Sequence, residues 1–317
     1  MKTVLLAIII GLTVAACPVL YFTLGPQLND LQLETALILI IICGASALYC
    51  FVVGELAHNN SQMDKLWSIL PIAYTWVIAA KGGMSPRLVI MAVLATLWGI
   101  RLTFNFARKG AYKLKFWSGE EDYRWQVLRD KKEFQPHWKW MIFNFFFICV
   151  YQNFLVLLIT VPALVSMSST APLGWVDFMA MGLFMFFLLF ETVADEQQFS
   201  FQTTKWKMIK EGKKLEELPA PFNLGFNTFG LWKHSRHPNY LGEQMIWVSF
   251  FIFSIGAGVM TFDVVPFNWS AAGALLLIVL FVGSSTFGED ITGSKYPQYA
   301  VYKKQVSRFI PWKGYRG

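Results

Sequence analysis

Long apolar runs separated by short polar segments account for most of the chain. A membrane-spanning helix needs about 17–25 predominantly apolar residues. Runs of this kind recur at about 4–26, 34–54, 66–80, 87–106, 140–162, 174–194, 240–261 and 270–287. The pattern predicts an all-α, polytopic membrane bundle of about eight transmembrane helices, in which the third run is short and the seventh begins near a proline.

Composition agrees with this pattern. Of the 317 residues, 55% are hydrophobic and 15% are charged, with a mean hydropathy of +0.45. Soluble domains carry about 25% charged residues. The sequence has no internal repeat, low-complexity tract or long linker. We therefore interpret the chain as a membrane protein built from one bundle of helices.

The basic residues indicate how the chain crosses the membrane. If the N-terminus is cytoplasmic, all but three of the 27 lysines and arginines fall in cytoplasmic segments, chiefly residues 107–139, 195–237 and the tail from 289. Positive residues are retained on the cytoplasmic side of membranes. We predict both termini inside, in a bacterial plasma membrane or in the endoplasmic reticulum of a eukaryote. This placement explains the net charge of +7 without a nucleic-acid partner.

The cysteines and the N-terminus argue against other classes. All four cysteines lie in apolar runs and none forms a CxxC pair, so neither a disulfide framework nor a metal site is expected. The opening residues, MKTVLLAIIIGLTVAAC, could pass for a secretion signal. They carry one basic residue and precede further apolar runs, so we interpret them as an ordinary first helix.

Ionisable residues at the ends of the apolar runs are candidate functional groups. Each costs about 2.5–3.5 kcal/mol to place at the centre of a membrane helix. Glu55, Asp64, Arg101, Glu191 and Asp195 all fall at the predicted cytoplasmic ends, and the last two are one helical turn apart. The sequence therefore predicts a polar pocket that opens towards the cytoplasm.

Spacing excludes several chemistries for this pocket. Four histidines are too few for a membrane di-iron site, and no GxGxxG loop occurs. Ser235 follows His234 directly, but nothing marks a catalytic triad. A bound nucleotide would have to be held by side chains at helix ends and in loops.

The stretch FGLWKHSRHPNYLGEQMIW, residues 229–247, resembles the signature of the steroid 5α-reductase and sterol reductase superfamily, most closely its DUF1295 branch. The resemblance covers about residues 55–312. It implies a seven-helix core in residues 31–317, preceded by an extra helix and loop in residues 1–30. It also implies that NADPH delivers a hydride to a C=C bond of a lipophilic, sterol-, enone- or isoprenoid-like substrate that arrives from the bilayer.

The same resemblance assigns candidate residues. Asn239 and Glu243, one helical turn apart, are expected at the nicotinamide end of the cofactor. The full set of predicted cofactor-binding residues is Arg101, Asp195, Gln198, Trp232, Arg236, His237, Asn239, Tyr240, Glu243, Lys295, Tyr296 and Tyr299.

The residues expected at the substrate match the family pattern less closely than the cofactor motif does. The segment MDKLWSILP places Asp64 where the steroid enzymes carry a catalytic carboxylate. Trp98 stands where they carry a tyrosine that polarises the substrate carbonyl, and a tryptophan cannot act as a proton acid. For Asp64 to act as an acid, burial or a like charge must raise its pKa.

Two other functions remain open from the sequence. One is an S-adenosylmethionine-dependent membrane methyltransferase resembling the isoprenylcysteine carboxyl methyltransferases, which share the Arg-His-Pro-x-Tyr-x-Gly pattern; Asn239 and Glu243 favour the reductase. The other is a non-enzymatic scaffold, which leaves the cluster at 234–243 unexplained. The expected partners are the substrate and membrane lipids, with no obligate protein partner evident.

Overall fold

The protein is described by a computed structural model that covers residues 19–261 and 264–316. Within these ranges the structure is all-α, as predicted, and its regular elements are helices joined by turns. The α-helices are α1 (Asp30–Leu56), α2 (Gln62–Trp67), α3 (Leu70–Lys81), α4 (Pro86–Ala107), α5 (Tyr123–Arg129), α6 (His137–Phe143), α7 (Gln152–Leu158), α8 (Val161–Val165), α9 (Trp175–Lys210), α10 (Pro238–Gly256), α11 (Ala272–Lys295) and α12 (Tyr299–Gln305).

Five helical stretches in the described part of the chain are long and apolar enough to cross a membrane: Asp30–Leu56, Pro86–Ala107, His137–Ser168, Trp175–Lys210 and Trp269–Lys295. Each contains one of the predicted runs. The predicted seventh helix, 240–261, corresponds to the shorter α10. The first, 4–26, lies largely outside the described residues. The membrane bundle is thus confirmed, and the count of eight stays a prediction.

Local signals set the helix boundaries. Before α1, the Asn29 side chain accepts from the Gln32 amide and the Gln32 side chain accepts from the Asn29 amide, both at 2.9 Å. This reciprocal pair satisfies two amides that a helix start leaves free. The third predicted run, 66–80, is divided between α2 and α3, which meet at Ser68 and Ile69.

The predicted helix at 140–162 is also interrupted. Its middle, Asn144–Tyr151, is π-helical. The Asn153 side chain donates through Nδ2 to the backbone carbonyl of Cys149 at 2.7 Å. A membrane interior offers no water to pair backbone groups. The Asn153 side chain, which pairs with a backbone carbonyl of the π-helical turn, therefore stabilises this irregular turn.

The chain divides into two compact units. Unit 1 comprises the residues up to Gly182 together with Trp247–Leu277, and unit 2 comprises Leu183–Ile246 and Ile278–Gly317. Helices α9, α10 and α11 each continue from one unit into the other. Asp64 belongs to unit 1, and the signature motif up to Ile246 belongs to unit 2.

A buried ion pair joins three segments of unit 1. The Arg87 Nε donates to Asp177 Oδ1 at 2.7 Å, and its Nη2 donates to Asp177 Oδ2 at 3.0 Å. Arg87 and Asp177 are only 5% and 2% exposed. The guanidinium also donates to the carbonyls of Ala171, Pro172 and Gly256. Because every guanidinium nitrogen has an acceptor, the pair is fully satisfied.

We expect Arg87→Met to destabilise the protein by about 3–5 kcal/mol, because it leaves the Asp177 carboxylate buried without its cation. The free energy of unfolding in detergent measures the effect. Lys81→Met is the matched control, since the Lys81–Glu34 pair is exposed and such pairs contribute about 0–1 kcal/mol. Equal losses in the two variants would contradict the assignment.

Candidate functional site

The signature motif forms the start of α10 in unit 2. Pro238 occupies the first helical position, where its missing N–H costs nothing. In the first turn, the Asn239 Nδ2 donates to Asp195 Oδ1 on α9 at 3.1 Å. Two of the predicted cofactor residues, 44 positions apart in sequence, therefore meet.

Two amide oxygens at this place lack partners. Asn239 Oδ1 and Gln198 Oε1 are buried and accept no hydrogen bond from the residues that the structure describes. Gln198 lies one helical turn beyond Asp195, on the same face of α9. An unpaired buried acceptor costs about 1–3 kcal/mol. Such groups are poised to accept hydrogen bonds from a ligand.

The glycine of the motif allows α10 to approach α9. A Cβ added at Gly242 would lie 2.6 Å from Glu191 Cβ and 3.1 Å from Glu191 Cα. Real Cβ atoms do not approach that closely. Gly242 thus permits the helix contact that brings Asn239 to Asp195.

The loop before the motif is held against α9. The Trp232 indole donates to the Ala194 carbonyl at 2.9 Å, and the Leu231 amide donates to Gln197 Oε1 at 2.8 Å. Gly230 has a positive φ of 60°, and a Cβ there would overlap the Gln197 side chain. Trp232 therefore lies at the predicted site, and Gln197 is a positioning contact that the sequence did not indicate.

Two further motif residues, Arg236 and His237, contact a carboxylate of α11, and Tyr240 packs against His237. Glu289 Oε1 accepts from Arg236 Nε at 2.7 Å and lies 3.0 Å from His237 Nε2. The His237 ring stacks on Tyr240 with centroids 5.3 Å apart. Burial lowers the pKa of His237, and its contact with Glu289 opposes this effect in part. The imidazole is therefore best described as a neutral donor to the carboxylate.

The predicted residues of the tail pack near a buried lysine. Lys205 is 2% exposed; its Nζ donates to the Gly225 carbonyl at 2.8 Å and lies 5.5 Å from the Tyr296 ring centre. Lys295 ends α11, directly before Tyr296. Tyr299 packs edge-on against Phe226 with centroids 5.0 Å apart. Burial raises the pKa of Tyr299, so its phenol stays protonated.

Asp64, the predicted acid, lies in a polar cluster of unit 1. Its Oδ2 accepts from the Trp125 indole at 2.8 Å. The next residue binds the loop that precedes α5: Lys65 Nζ donates to the carbonyls of Phe116 and Ser118, at 2.8 and 2.7 Å. The Asp122 amide donates to Ser61 Oγ at 2.9 Å. These contacts hold the loop and α5 against α2.

The two carboxyl groups at this site have opposite pKa shifts. Burial and the negative charge of Asp122 raise the pKa of Asp64, although Arg124 and two hydrogen bonds oppose the shift. Burial also acts to raise the pKa of Asp122. The charge of Arg124 and its hydrogen bonds to Asp122, at 2.8–2.9 Å, outweigh burial, so the pKa of Asp122 lies below its ordinary value. Carboxyls with separated pKa values can serve as proton donor and fixed anion. Of the two carboxyl groups, Asp64 therefore holds a proton more tightly than an ordinary aspartate, and Asp122 ionises more readily.

Two further residues implied by the resemblance, besides Asp64, belong to unit 1. Arg101 lies half-buried in α4. All the other predicted cofactor residues belong to unit 2. Trp98 is fully buried, and its ring meets Trp247 edge-on with centroids 4.9 Å apart. The tryptophan at the position of the family tyrosine thus lies in an aromatic core.

Sequence reasoning missed Glu289 and Lys303, two residues that contact the motif through Arg236. Lys303 Nζ lies 2.8 Å from Glu289 Oε2, and the Glu289 side chain has no exposed surface. The cost of an ionisable group in an apolar helix, which singled out Glu191, applies equally to Glu289 in FVGSSTFGEDITGSK. That signal would have identified it.

Comparison with known proteins agrees with the motif. A family profile described as "Protein of unknown function (DUF1295)" matches residues 50–306. The chain belongs to the DUF1295 family. This family is part of the steroid 5α-reductase-like superfamily. A Schizosaccharomyces pombe protein described as uncharacterized is 37% identical over 282 residues, which cover 83% of this chain and 78% of that protein. No solved structure matches the chain.

We expect Gly242→Ala to destabilise this DUF1295 protein by about 1–3 kcal/mol, since the new methyl group would overlap Glu191. Gly288→Ala is the matched control: Gly288 is also helical and has open space around its Cβ position, so alanine should be neutral or slightly stabilising. Thermal unfolding of both variants in detergent measures the difference. A neutral Gly242→Ala would rule out the tight contact between α9 and α10.

Proposed function

We propose that the protein is a membrane-embedded, NADPH-dependent reductase of a C=C bond in a lipophilic, sterol-, enone- or isoprenoid-like compound. The site would take its cofactor from the cytoplasm and its substrate from the bilayer, with both termini cytoplasmic. Membership of the DUF1295 family, within the steroid 5α-reductase-like superfamily, supports an enzymatic role.

The observation that carries the proposal is the pair of unpartnered amide oxygens beside Asp195. Asp195 accepts from Asn239 Nδ2, which fixes the amide so that Oδ1 is the atom left without a partner. Gln198 contributes a second such oxygen from the same helix face. A nicotinamide carboxamide carries an NH₂ group with two donors. These residues therefore match the cofactor in hydrogen-bonding type.

In the proposed reaction the cofactor would supply a hydride and the protein would supply a proton. When bound, NADPH would supply the hydride for the β-carbon of the alkene and would leave as NADP⁺. The α-carbon would then need a proton, and we propose Asp64 as its donor, because burial and the charge of Asp122 raise its pKa above the ordinary aspartate value. After transfer, the Trp125 indole stabilises the Asp64 carboxylate through the bond that it already donates.

The proposal predicts selective cofactor binding. Purified protein in detergent should be stabilised thermally by NADPH and NADP⁺ and not by S-adenosylmethionine. Asn239→Ala should weaken NADPH binding by about tenfold, the value of a hydrogen bond left unmade at a buried acceptor. Asn223→Ala is the matched control, because Asn223 is an exposed asparagine of the same unit.

Stabilisation by S-adenosylmethionine alone would favour a methyltransferase and overturn the proposal. If the NADPH affinity of Asn239→Ala and that of Asn223→Ala both equal the wild-type value, the motif does not form the site. The dissociation constants are measured by titration, with NADPH fluorescence as the readout.

The raised pKa of Asp64 gives a second prediction. The folded chain holds this proton to a higher pH than the unfolded chain, so Asp64 lowers stability as pH rises above its unfolded pKa. Asp64→Asn should therefore raise the unfolding temperature at neutral pH and have little effect in acid. It should also abolish NADPH oxidation with lipophilic enones while NADPH binding is retained.

Asp130→Asn is the control for charge, because Asp130 is exposed at the end of α5. Infrared titration of the carboxyl stretch, with Asp64→Asn to assign the band, measures the pKa directly. An Asp64 band that titrates at the ordinary aspartate pKa would exclude this residue as the proton donor.

A further inference from the structure

The carboxylate of Glu289 lies buried in unit 2 among nitrogen-bearing side chains. Its side chain has no exposed surface, and three side chains surround it: Arg236 Nε at 2.7 Å, His237 Nε2 at 3.0 Å and Lys303 Nζ at 2.8 Å. We call these four residues the Glu289 cluster. A carboxylate buried at this depth is stable only if it is paired in this way.

The members of the Glu289 cluster come from three segments. Glu289 lies on α11, Lys303 lies on α12, and Arg236 with His237 precedes α10. The Arg236 Nη1 also donates to the carbonyls of Lys303 and Val306, at the end of α12. The guanidinium therefore caps the helix that carries Lys303 as well as pairing with Glu289.

Backbone hydrogen bonds run alongside the cluster. The Arg236 amide donates to the Ser307 carbonyl at 2.9 Å, and the His237 amide donates to the Arg308 carbonyl at 3.0 Å. Ser235 and Ser307 form a parallel bridge. The Tyr302 hydroxyl donates to the Trp232 carbonyl. The segment that leads into α10 is thus attached to the C-terminal segment along its length.

We propose that Glu289, Arg236 and His237 are positioning residues of the nucleotide site, and that Arg236 and His237 bind Glu289 and the C-terminal segment rather than the cofactor. The inference rests on the proposed function. The Glu289 cluster fixes the backbone at residues 236 and 237. Asn239 follows two residues later, so its amide can meet Asp195 only when this backbone is held.

A positioning role and a purely electrostatic role of Glu289 predict opposite changes in NADPH affinity for the same substitution. NADPH is polyanionic, so removing a nearby negative charge strengthens its binding if electrostatics alone acts. Glu289→Gln removes that charge while keeping the shape of the side chain. If Glu289 positions the motif, the same change weakens binding, because the neutral amide loses the charge pairing with Arg236 and Lys303 and turns an NH₂ donor towards one of these donors.

We expect Glu289→Gln to weaken NADPH binding by about tenfold. Asp290→Asn is the matched control: it removes the same charge from an exposed position one residue along α11, and NADPH binding should be unchanged or slightly tighter. Unchanged or tighter binding in Glu289→Gln overturns the proposal.

Arg236→Met separates a positioning role from a phosphate contact. We expect it to weaken the binding of NADPH, NADH and reduced nicotinamide mononucleotide by the same factor, since all three share the nicotinamide that Asn239 would bind. A loss for NADPH that disappears with NADH or with the mononucleotide would make Arg236 a phosphate ligand and overturn the proposal.

Hydrogen exchange of the unliganded protein tests the cluster without the cofactor. Glu289→Gln should raise exchange at the amides of residues 236 and 237, which donate to the C-terminal segment, and Asp290→Asn should not. Lys303→Met removes only the partly exposed member and should give a smaller change in the same direction.

The two proposals fail separately. Wild-type protein that binds no nicotinamide nucleotide overturns the proposed function. Unaltered exchange in Glu289→Gln overturns the positioning role, whether or not the wild type binds NADPH.

Discussion

Every charge that this chain buries must find its partner within the protein, because a core that borders lipid supplies no water. Two buried groups illustrate how this constraint is met. Arg87 pairs with Asp177 and with three carbonyls. Glu289 is surrounded by Arg236, Lys303 and the neutral imidazole of His237. Each pairing joins segments that are far apart in sequence. The few ionisable groups of the chain thereby fix the positions of its helices within each unit.

Several buried polar atoms in the described part of the chain have no hydrogen-bond partner, and two of them belong to the candidate nucleotide site. Asn239 and Gln198 each keep a buried amide oxygen without a partner in the described structure, although their surroundings are tightly bonded. Gly242 and Trp232 bring the motif against α9 through helix contact and a hydrogen bond. Rigid surroundings with unused acceptors are what a preorganised ligand site requires, because the cost of ordering them is met during folding.

The apolar runs predicted the helices well because lipid imposes both their length and their composition. They did not predict the division between α2 and α3 or the π-helical turn at Asn144–Tyr151, where hydrogen bonds rather than hydropathy decide the backbone. The motif likewise indicated which residues gather at the site. It did not indicate that Arg236 and His237 contact Glu289, which lies more than fifty residues away.

The sequence by itself determined the class of this protein, the family to which it belongs and the positions of most of its helices, since hydropathy and a contiguous motif are local properties. The tertiary structure decided which polar residues pair with one another and how their pKa values shift. Burial and the charge of Asp122 raise the pKa of Asp64 against the opposing effects of Arg124 and Trp125. Asn239 keeps an unpaired acceptor because Asp195 accepts from its side-chain NH₂ group. Protonation and hydrogen-bond pairing depend on atoms a few ångströms away, and only folding brings those atoms together.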